Sequence, residues 1–329
     1  MDLVLAWHAV IVACWVLYFV LEGFDLGVGV LAGLLGRDDH ERGAAVRTIG
    51  PFWDGNEVWL VAAIGATFAA FPAWYAGLLS GLYLPVVVLL LLLAGRGVAI
   101  EFRAKGPDER WRRTCDAVHG LTSAGIVALW GAVLAVMVRG LALGPDGEVD
   151  STGGALARTI GPLLTPAAAL GAVLALLLAL GIGAAYLSLR ITGPVRSRAR
   201  AVAVLTLAAA AAVTAVLPLR PLAPAAAIAL AAAALTAAAR REALAFAAAA
   251  AAVGAVVVAV LTRHTSDGVL LPSTLDAAWS VTRTGAAAGE QALRLITTVG
   301  VVAVPGVLAY QAMSYVVFRR RVTGERVPA

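Results

Sequence analysis

Apolar residues come in long blocks separated by short polar, arginine-bearing segments. Several blocks reach the ~20 residues that a helix needs to cross a ~30 Å hydrocarbon layer. The pattern predicts nine helices, at about 5–31, 49–71, 76–100, 117–138, 161–189, 201–218, 222–239, 243–262 and 295–317. The fold class is therefore all-α: a polytopic membrane protein of about nine transmembrane helices. Helices six to eight are rich in alanine, and the link Leu217–Pro224 bounds two of them only weakly. Small side chains let membrane helices approach closely, which accounts for that composition without a special role. The polar stretches are short, the longest being about 263–294, with others near 101–116 and 139–160. Residues 1–329 read as one integral membrane domain, with helices 1–3 at about 5–103, Ala-rich helices at about 161–262 and a last helix at about 295–317. No internal repeat is visible.

Charge orients the bundle. With the N-terminus outside, the cytoplasmic segments hold 19 of the 25 Lys and Arg residues; Arg139, Arg158, Arg220, Arg263, Arg283 and Arg294 lie opposite. That bias fits the positive-inside rule and predicts an N-out, C-in chain. Composition agrees: 61% of residues are hydrophobic and 14% charged, against roughly 25% charged in a soluble domain. The formal charge of +5 is spread over short loops, not one face, which argues against a nucleic-acid partner and for lipid headgroups. Met1 to His8 carries no positive charge, so the first block is expected to stay as a membrane helix. Cys14 and Cys115 form no C-x-x-C pair, and no metal site is expected.

Against this apolar background, a few ionisable residues stand out. An ionised group at mid-membrane costs roughly 2.5–3.5 kcal/mol, so it normally faces protein or water. The first helix carries Glu22 and Asp25, the second Asp54 and Glu57. Each pair is spaced i,i+3, on one helix face. At 1.5 Å per residue, Asp25 and Asp54 lie about 10 and about 9 Å to the cytoplasmic side of their helix midpoints. Four acids at one depth predict a proton-conducting path; the competing reading is structural, with the acids pairing Arg96 or capping backbone near the glycines. Trp53 adjoins Asp54, and Trp53, Asn56 and Arg96 are the supporting residues. Arg96 could hold a carboxylate or a headgroup, or snorkel from its helix end to the surface. Glu242, beside Arg240 and Arg241, reads as interfacial.

Two motifs then carry a family resemblance. Glu22-Gly23-Phe24-Asp25-Leu26-Gly27-Val28-Gly29 and the run PFWDGNEVWL from Pro51 to Leu60 resemble the first- and second-helix signatures of subunit II of cytochrome bd-type quinol oxidases. Phe68 to Pro72, Ser80 to Tyr83, Arg96 to Val98 and Glu101 to Arg103 continue the match, which covers about residues 15–115. Leu271 to Thr274 and Pro305 to Tyr310 add weaker support. Residues 140–265 show no family motif.

The resemblance implies a non-haem subunit of a bacterial enzyme that oxidises quinol and reduces oxygen, not catalytic alone, in the plasma (inner) membrane. It implies a partner, the haem-bearing subunit I, holding haems b and d and the quinol-oxidising loop. It also implies proton delivery from the cytoplasm at Asp54; a structural quinone or lipid is known in some members, and accessory subunits are left open. His8 and His119 lie near opposite ends of their helices, and His40 and His264 fall in loops. No haem site is therefore expected in this chain, because axial ligands must face one iron. His119 reads as a satisfied interfacial residue. Two alternatives stand beside this reading: a stand-alone proton-coupled membrane transporter, for which no repeat is visible, and a structural scaffold.

Overall fold

The computed structural model describes residues 2–150, 152–217 and 222–323. It contains thirteen helices: α1 Leu3–Leu35, α2 Asp39–Ile49, α3 Trp53–Ala70, α4 Pro72–Gly81, α5 Tyr83–Phe102, α6 Glu109–Arg139, α7 Gly154–Ile160, α8 Pro166–Arg190, α9 Pro194–Val216, α10 Leu222–Ala238, α11 Glu242–Leu261, α12 Arg283–Ala286 and α13 Glu290–Val317. A short antiparallel pair, β1 Val269–Leu271 and β2 Val281–Thr282, is the exception to helix. Among the described residues, seven helices are long and apolar enough to cross a membrane; Leu222–Ala238 is apolar but shorter. The second expected helix, α3, has 18 residues and carries Asp54 and Glu57.

The expected helices are found with shifted ends. Helix two was expected from residue 49, but Gly50-Pro51-Phe52 forms a turn, closed by Phe52 N–H on Ile49 O at 2.8 Å. Before it lies an unexpected helix, α2, capped by Asp38 accepting from Glu41 N–H. Its charged composition hid it: the buried residues Gly43 to Val46, Thr48 and Ile49 fall between acids and arginines. The third expected helix is split at Leu82 into α4 and α5. Pro72 stands at the first turn of α4, and the residue before a proline avoids helical backbone, so the chain turns at Phe71. Part of the Leu217–Pro224 link, with Arg220, lies outside the described residues.

Glycines set the tightest helix contacts. A Cβ on Gly27 of α1 would overlap the carbonyl of Ala179 on α8 and lie 3.1 Å from Gly183 Cα. On α6, a Cβ at Gly131 would sit 2.6 Å from Ala175 Cβ of α8. Both crossings bring backbones into contact, as membrane helices do in the absence of a strong hydrophobic drive between them.

Loop contacts sort into two ends. At one end Arg42 and Arg103 bind Asp116 (3.0 and 2.6 Å), Arg198 binds Glu41 (2.6 Å) and Arg200 binds Glu242 (2.6 Å). There, too, Val322 N–H reaches Arg190 O at 2.8 Å. At the other end Leu141 N–H donates to Pro272 O (3.1 Å) and Ala288 N–H to Ala70 O (2.8 Å). Ser273 Oγ donates to Leu143 O there at 2.8 Å. Glu242, at the first turn of α11 beside Arg240 and Arg241, pairs with Arg196 and Arg200 at that end.

Candidate functional site: a buried carboxyl cluster between α1, α3, α5 and α13

Glu22 and Asp25 of α1 are fully buried, as the i,i+3 spacing with Gly23 between them allows. Facing them across the bundle is Arg96 of α5, also fully buried. Its Nη1 lies 2.5 Å from Glu22 Oε1 and 3.4 Å from Glu57 Oε2 on α3. Arg96 therefore does not snorkel to the surface. Of the three readings of this residue, the carboxylate partner is the one the geometry selects. Trp53 roofs it, with the guanidinium carbon 5.6 Å from the ring centroid. The same indole lies over Gly97, one residue on, where a Cβ would sit 3.6 Å from it, in ordinary contact.

Asp25 is held differently. Asn56 Nδ2 donates to Asp25 Oδ2 at 2.6 Å. The Asn56 carbonyl accepts from Gln311 Nε2 at 2.6 Å and from the Tyr315 hydroxyl at 2.9 Å, both on α13. Tyr315 is fixed by stacking on Phe52, ring centroids 4.6 Å apart. Below Asp25, Phe24 stacks on Tyr186 of α8 at 4.2 Å, and Tyr186 donates to Thr48 O at 2.8 Å.

Of the expected residues, Glu22, Asp25, Glu57, Asn56, Trp53 and Arg96 meet in one place. Asp54 does not join them: it lies one turn before Glu57 on the exposed face of α3. Gln311, Tyr315 and Tyr186 belong to the cluster and were not foreseen. For Gln311 the available signal was a lone amide in the apolar half of the last helix; the tyrosines gave none. Several polar atoms of the cluster have no hydrogen-bond partner among the described residues, including Glu22 Oε2, Asp25 Oδ1, Arg96 Nε and Arg96 Nη2. Such buried atoms are normally met by water.

The histidines are placed elsewhere. His8 packs edge-on against Phe71 at 6.3 Å, near the end of the bundle where Ala288 meets Ala70. His119 lies toward the other end, beside Gly29. His119 is buried, 3% exposed, and its Nε2 has no hydrogen-bond partner among the described residues. His40 sits on α2, not in a loop. Among the described residues, no group of three His, Cys, Asp or Glu side chains could hold a metal ion.

Membrane-length helices around a buried cluster of ionisable side chains define a multi-pass membrane protein with a polar site inside the bundle. The chain belongs to the cytochrome bd terminal oxidase subunit II family, whose sequence profile matches residues 3–318. It is 38% identical over 192 residues to cytochrome bd ubiquinol oxidase subunit 2 of Bacillus subtilis strain 168, covering 58% of this chain and 55% of that protein. It is 34% identical over 183 residues to cytochrome bd-I ubiquinol oxidase subunit 2 of Escherichia coli strain K12, covering 55% and 47%. The matched stretch thus spans about half the length of these curated relatives. The solved bd oxidase from Geobacillus thermodenitrificans matches with a TM-score of 0.72 at 20% identity, over 97% of this chain and 98% of that one, and shows the shared fold.

Proposed function

We propose that this chain is the non-haem subunit of a quinol-oxidising, oxygen-reducing membrane complex, and that its buried carboxyl cluster handles protons taken from the cytoplasm. The observation that carries the proton role is the cluster's composition. One guanidinium, Arg96, faces the carboxyl groups of Glu22 and Glu57, with Asp25 beside them. Buried charge must be matched, so one buried cation, Arg96, beside two buried acids, Glu22 and Asp25, with Glu57 partly exposed at the edge, leaves a bound proton as the remaining balance. Groups that hold protons between α1, α3 and α5, with unpartnered polar atoms for water to bridge, suit a path and not a sealed salt bridge.

Asp54 is the cytoplasmic mouth of that path in this reading. Its exposure on α3 would be costly against lipid, which favours a covering partner. That partner is the haem-bearing subunit I, which holds haems b and d. The same exposed side carries α13, whose Val299, Val301, Val302 and Val316 are all uncovered. Nine spans, N-out and C-in, in one integral membrane unit of the bacterial plasma membrane complete the proposal. The two-ended sorting of the loop contacts supports it, since each end collects the segments that alternate crossings would bring there. The apolar, aromatic walls of the cleft among Trp15, Trp74, Tyr75, Leu78, Pro85 and Trp130 suit an apolar tail, such as that of a structural quinone or lipid.

The test is purification of the natively expressed complex with its visible spectrum and oxygen uptake normalised to haem. Asp54→Asn keeps size and hydrogen-bonding capacity but removes the titratable group. The expected result is normal haem content with most quinol-driven oxygen uptake lost. Wild-type turnover per haem would remove Asp54 from the path. A chain that purifies without any haem-bearing partner, yet moves protons with a solute, would establish the stand-alone transporter instead.

A further inference from the structure

The buried polar stripe of α6 has no part in the reading above. Asp116, His119 and Ser123 recur at i, i+3 and i+7, one above another on a single face. All three are buried, at 6%, 3% and 0% exposure. At the foot of the stripe, Asp116 takes Arg42 Nε at 3.0 Å and Arg103 Nε at 2.6 Å, at the end of the bundle that holds the arginine-rich loops. At its head the stripe reaches the level of Arg96: a Cβ on Gly95, the preceding residue, would lie 3.3 Å from Thr122 Cγ2, next to Ser123. His119 and Ser123 thus fill the depth between the surface ion pairs and the buried Glu22–Arg96 pair.

Both side chains aim at the same spot on α1. A Cβ on Gly29 would meet His119 Nε2 at 2.7 Å and overlap Ser123 Oγ. Gly29 stands one turn beyond Asp25 on the same helix. Neither His119 Nε2 nor Ser123 Oγ has a hydrogen-bond partner among the described residues, and the same holds for Arg96 Nε and Nη2 and for Glu22 Oε2. Buried polar atoms left in a line between two helices are the groups that bridging water serves.

We infer that His119 and Ser123 are proton-relay residues, carrying protons along α6 from the Asp116 end of the bundle to Glu22. The inference rests on the proposed proton role of the carboxyl cluster and gives that cluster a feed separate from exposed Asp54. Each passage moves one proton: the imidazole takes it on one ring nitrogen and releases another from the opposite nitrogen, then changes tautomer. The Ser123 hydroxyl accepts that proton while giving up its own to bridging water, which releases one in turn to the Glu22 carboxylate about two helical turns along α1 from Gly29. No bond other than O–H and N–H is made or broken.

The experiment uses the assembled complex carrying His119→Gln, His119→Ala, Ser123→Ala or Glu22→Gln. It reads haem content, oxygen uptake per haem, and proton uptake by a pH-sensitive dye when the reduced complex meets oxygen. The expected result is normal haem content, with oxygen and proton uptake slowed about tenfold or more by His119→Gln, in keeping with the loss of one positioned proton carrier. Imidazole added to His119→Ala should restore both rates, whereas pyrazole, of the same size but a far weaker base, should not. Equal rescue by both compounds would mean that the ring only fills space, and would overturn the relay. So would unchanged rates in His119→Gln and Ser123→Ala beside a slowed Glu22→Gln, which leaves the carboxyl cluster standing. Unchanged rates in Glu22→Gln as well would bring down the proton role of the cluster itself. If His119→Gln fails to assemble, Ser123→Ala decides: it removes one hydroxyl, and unchanged proton uptake there overturns the inference.

Discussion

The Asn56 amide donates to Asp25 across 2.6 Å, and in doing so ties the first membrane helix to the last. Its own carbonyl takes two donors from α13, Gln311 at 2.6 Å and Tyr315 at 2.9 Å. Few other contacts hold that helix: Trp7 Nε1 donates to Thr297 Oγ1 at 2.9 Å, and Tyr315 stacks on Phe52. Only two residues of α13, Leu293 and Gln311, are buried.

Asn56→Leu keeps the volume but strands three polar groups at once. Each buried group left unpaired costs about 1–3 kcal/mol. The variant is expected to loosen α13 before the rest of the bundle. Hydrogen–deuterium exchange should rise in 290–317 while α6 and α8 stay protected. Uniform loss of protection, or none, would show that Asn56 does not anchor the last helix.

Arg96→Leu leaves Glu22 buried without its cation. Breaking one side of a buried pair costs about 3–5 kcal/mol. The expected result is a sharp fall in assembled complex and in its thermal midpoint. Adding Glu22→Gln to Arg96→Leu should recover part of the loss, because the stranded charge is gone and the two effects are coupled. A double variant as unstable as the sum of the singles would contradict this pairing.

Gly183→Ala should abolish stable expression, since its Cβ would stand 2.8 Å from Gly27 Cα with backbone on both sides. Nothing lies within 4 Å of the corresponding position on Gly33. Gly33→Ala should be neutral or stabilising, by up to about 1 kcal/mol from helix propensity. Comparing detergent-solubilised yield and melting of the two variants checks the crossing of α1 and α8 directly.

Reporter fusions after Arg47, Arg113, Arg200 and Arg241 should report cytoplasm, and fusions near Gly144 and Asp267 the outer side. The fusion sites at Pro221 and Ala329 lie outside the described residues, and the same rule assigns them to the outer side and the cytoplasm. A cytoplasmic signal at Gly144 would invert the orientation; a mismatch at Pro221 alone would change only the count around α9 and α10.

The sequence by itself determined that the chain is an all-helical membrane protein and which residues do not belong in lipid. Both follow from local quantities: block length against bilayer thickness, and the cost of a charge in hydrocarbon. The motifs on α1 and α3 marked the cluster, and the family they implied is the one to which the chain belongs. Helix ends were less legible, because a break such as Phe71-Pro72 or Leu82 leaves the hydropathy of the block almost unchanged. Only the tertiary structure decided how the acids are partnered. A period of 3.6 residues puts Asp54 and Glu57 on neighbouring positions, but the rotation of α3 against α1 sends Glu57 and Asn56 inward and leaves Asp54 exposed. Gln311 reaches Asn56 across 255 positions of chain, and His119 meets Gly29 from a different helix. Such contacts depend on how rigid helices pack, and no window of sequence contains both partners.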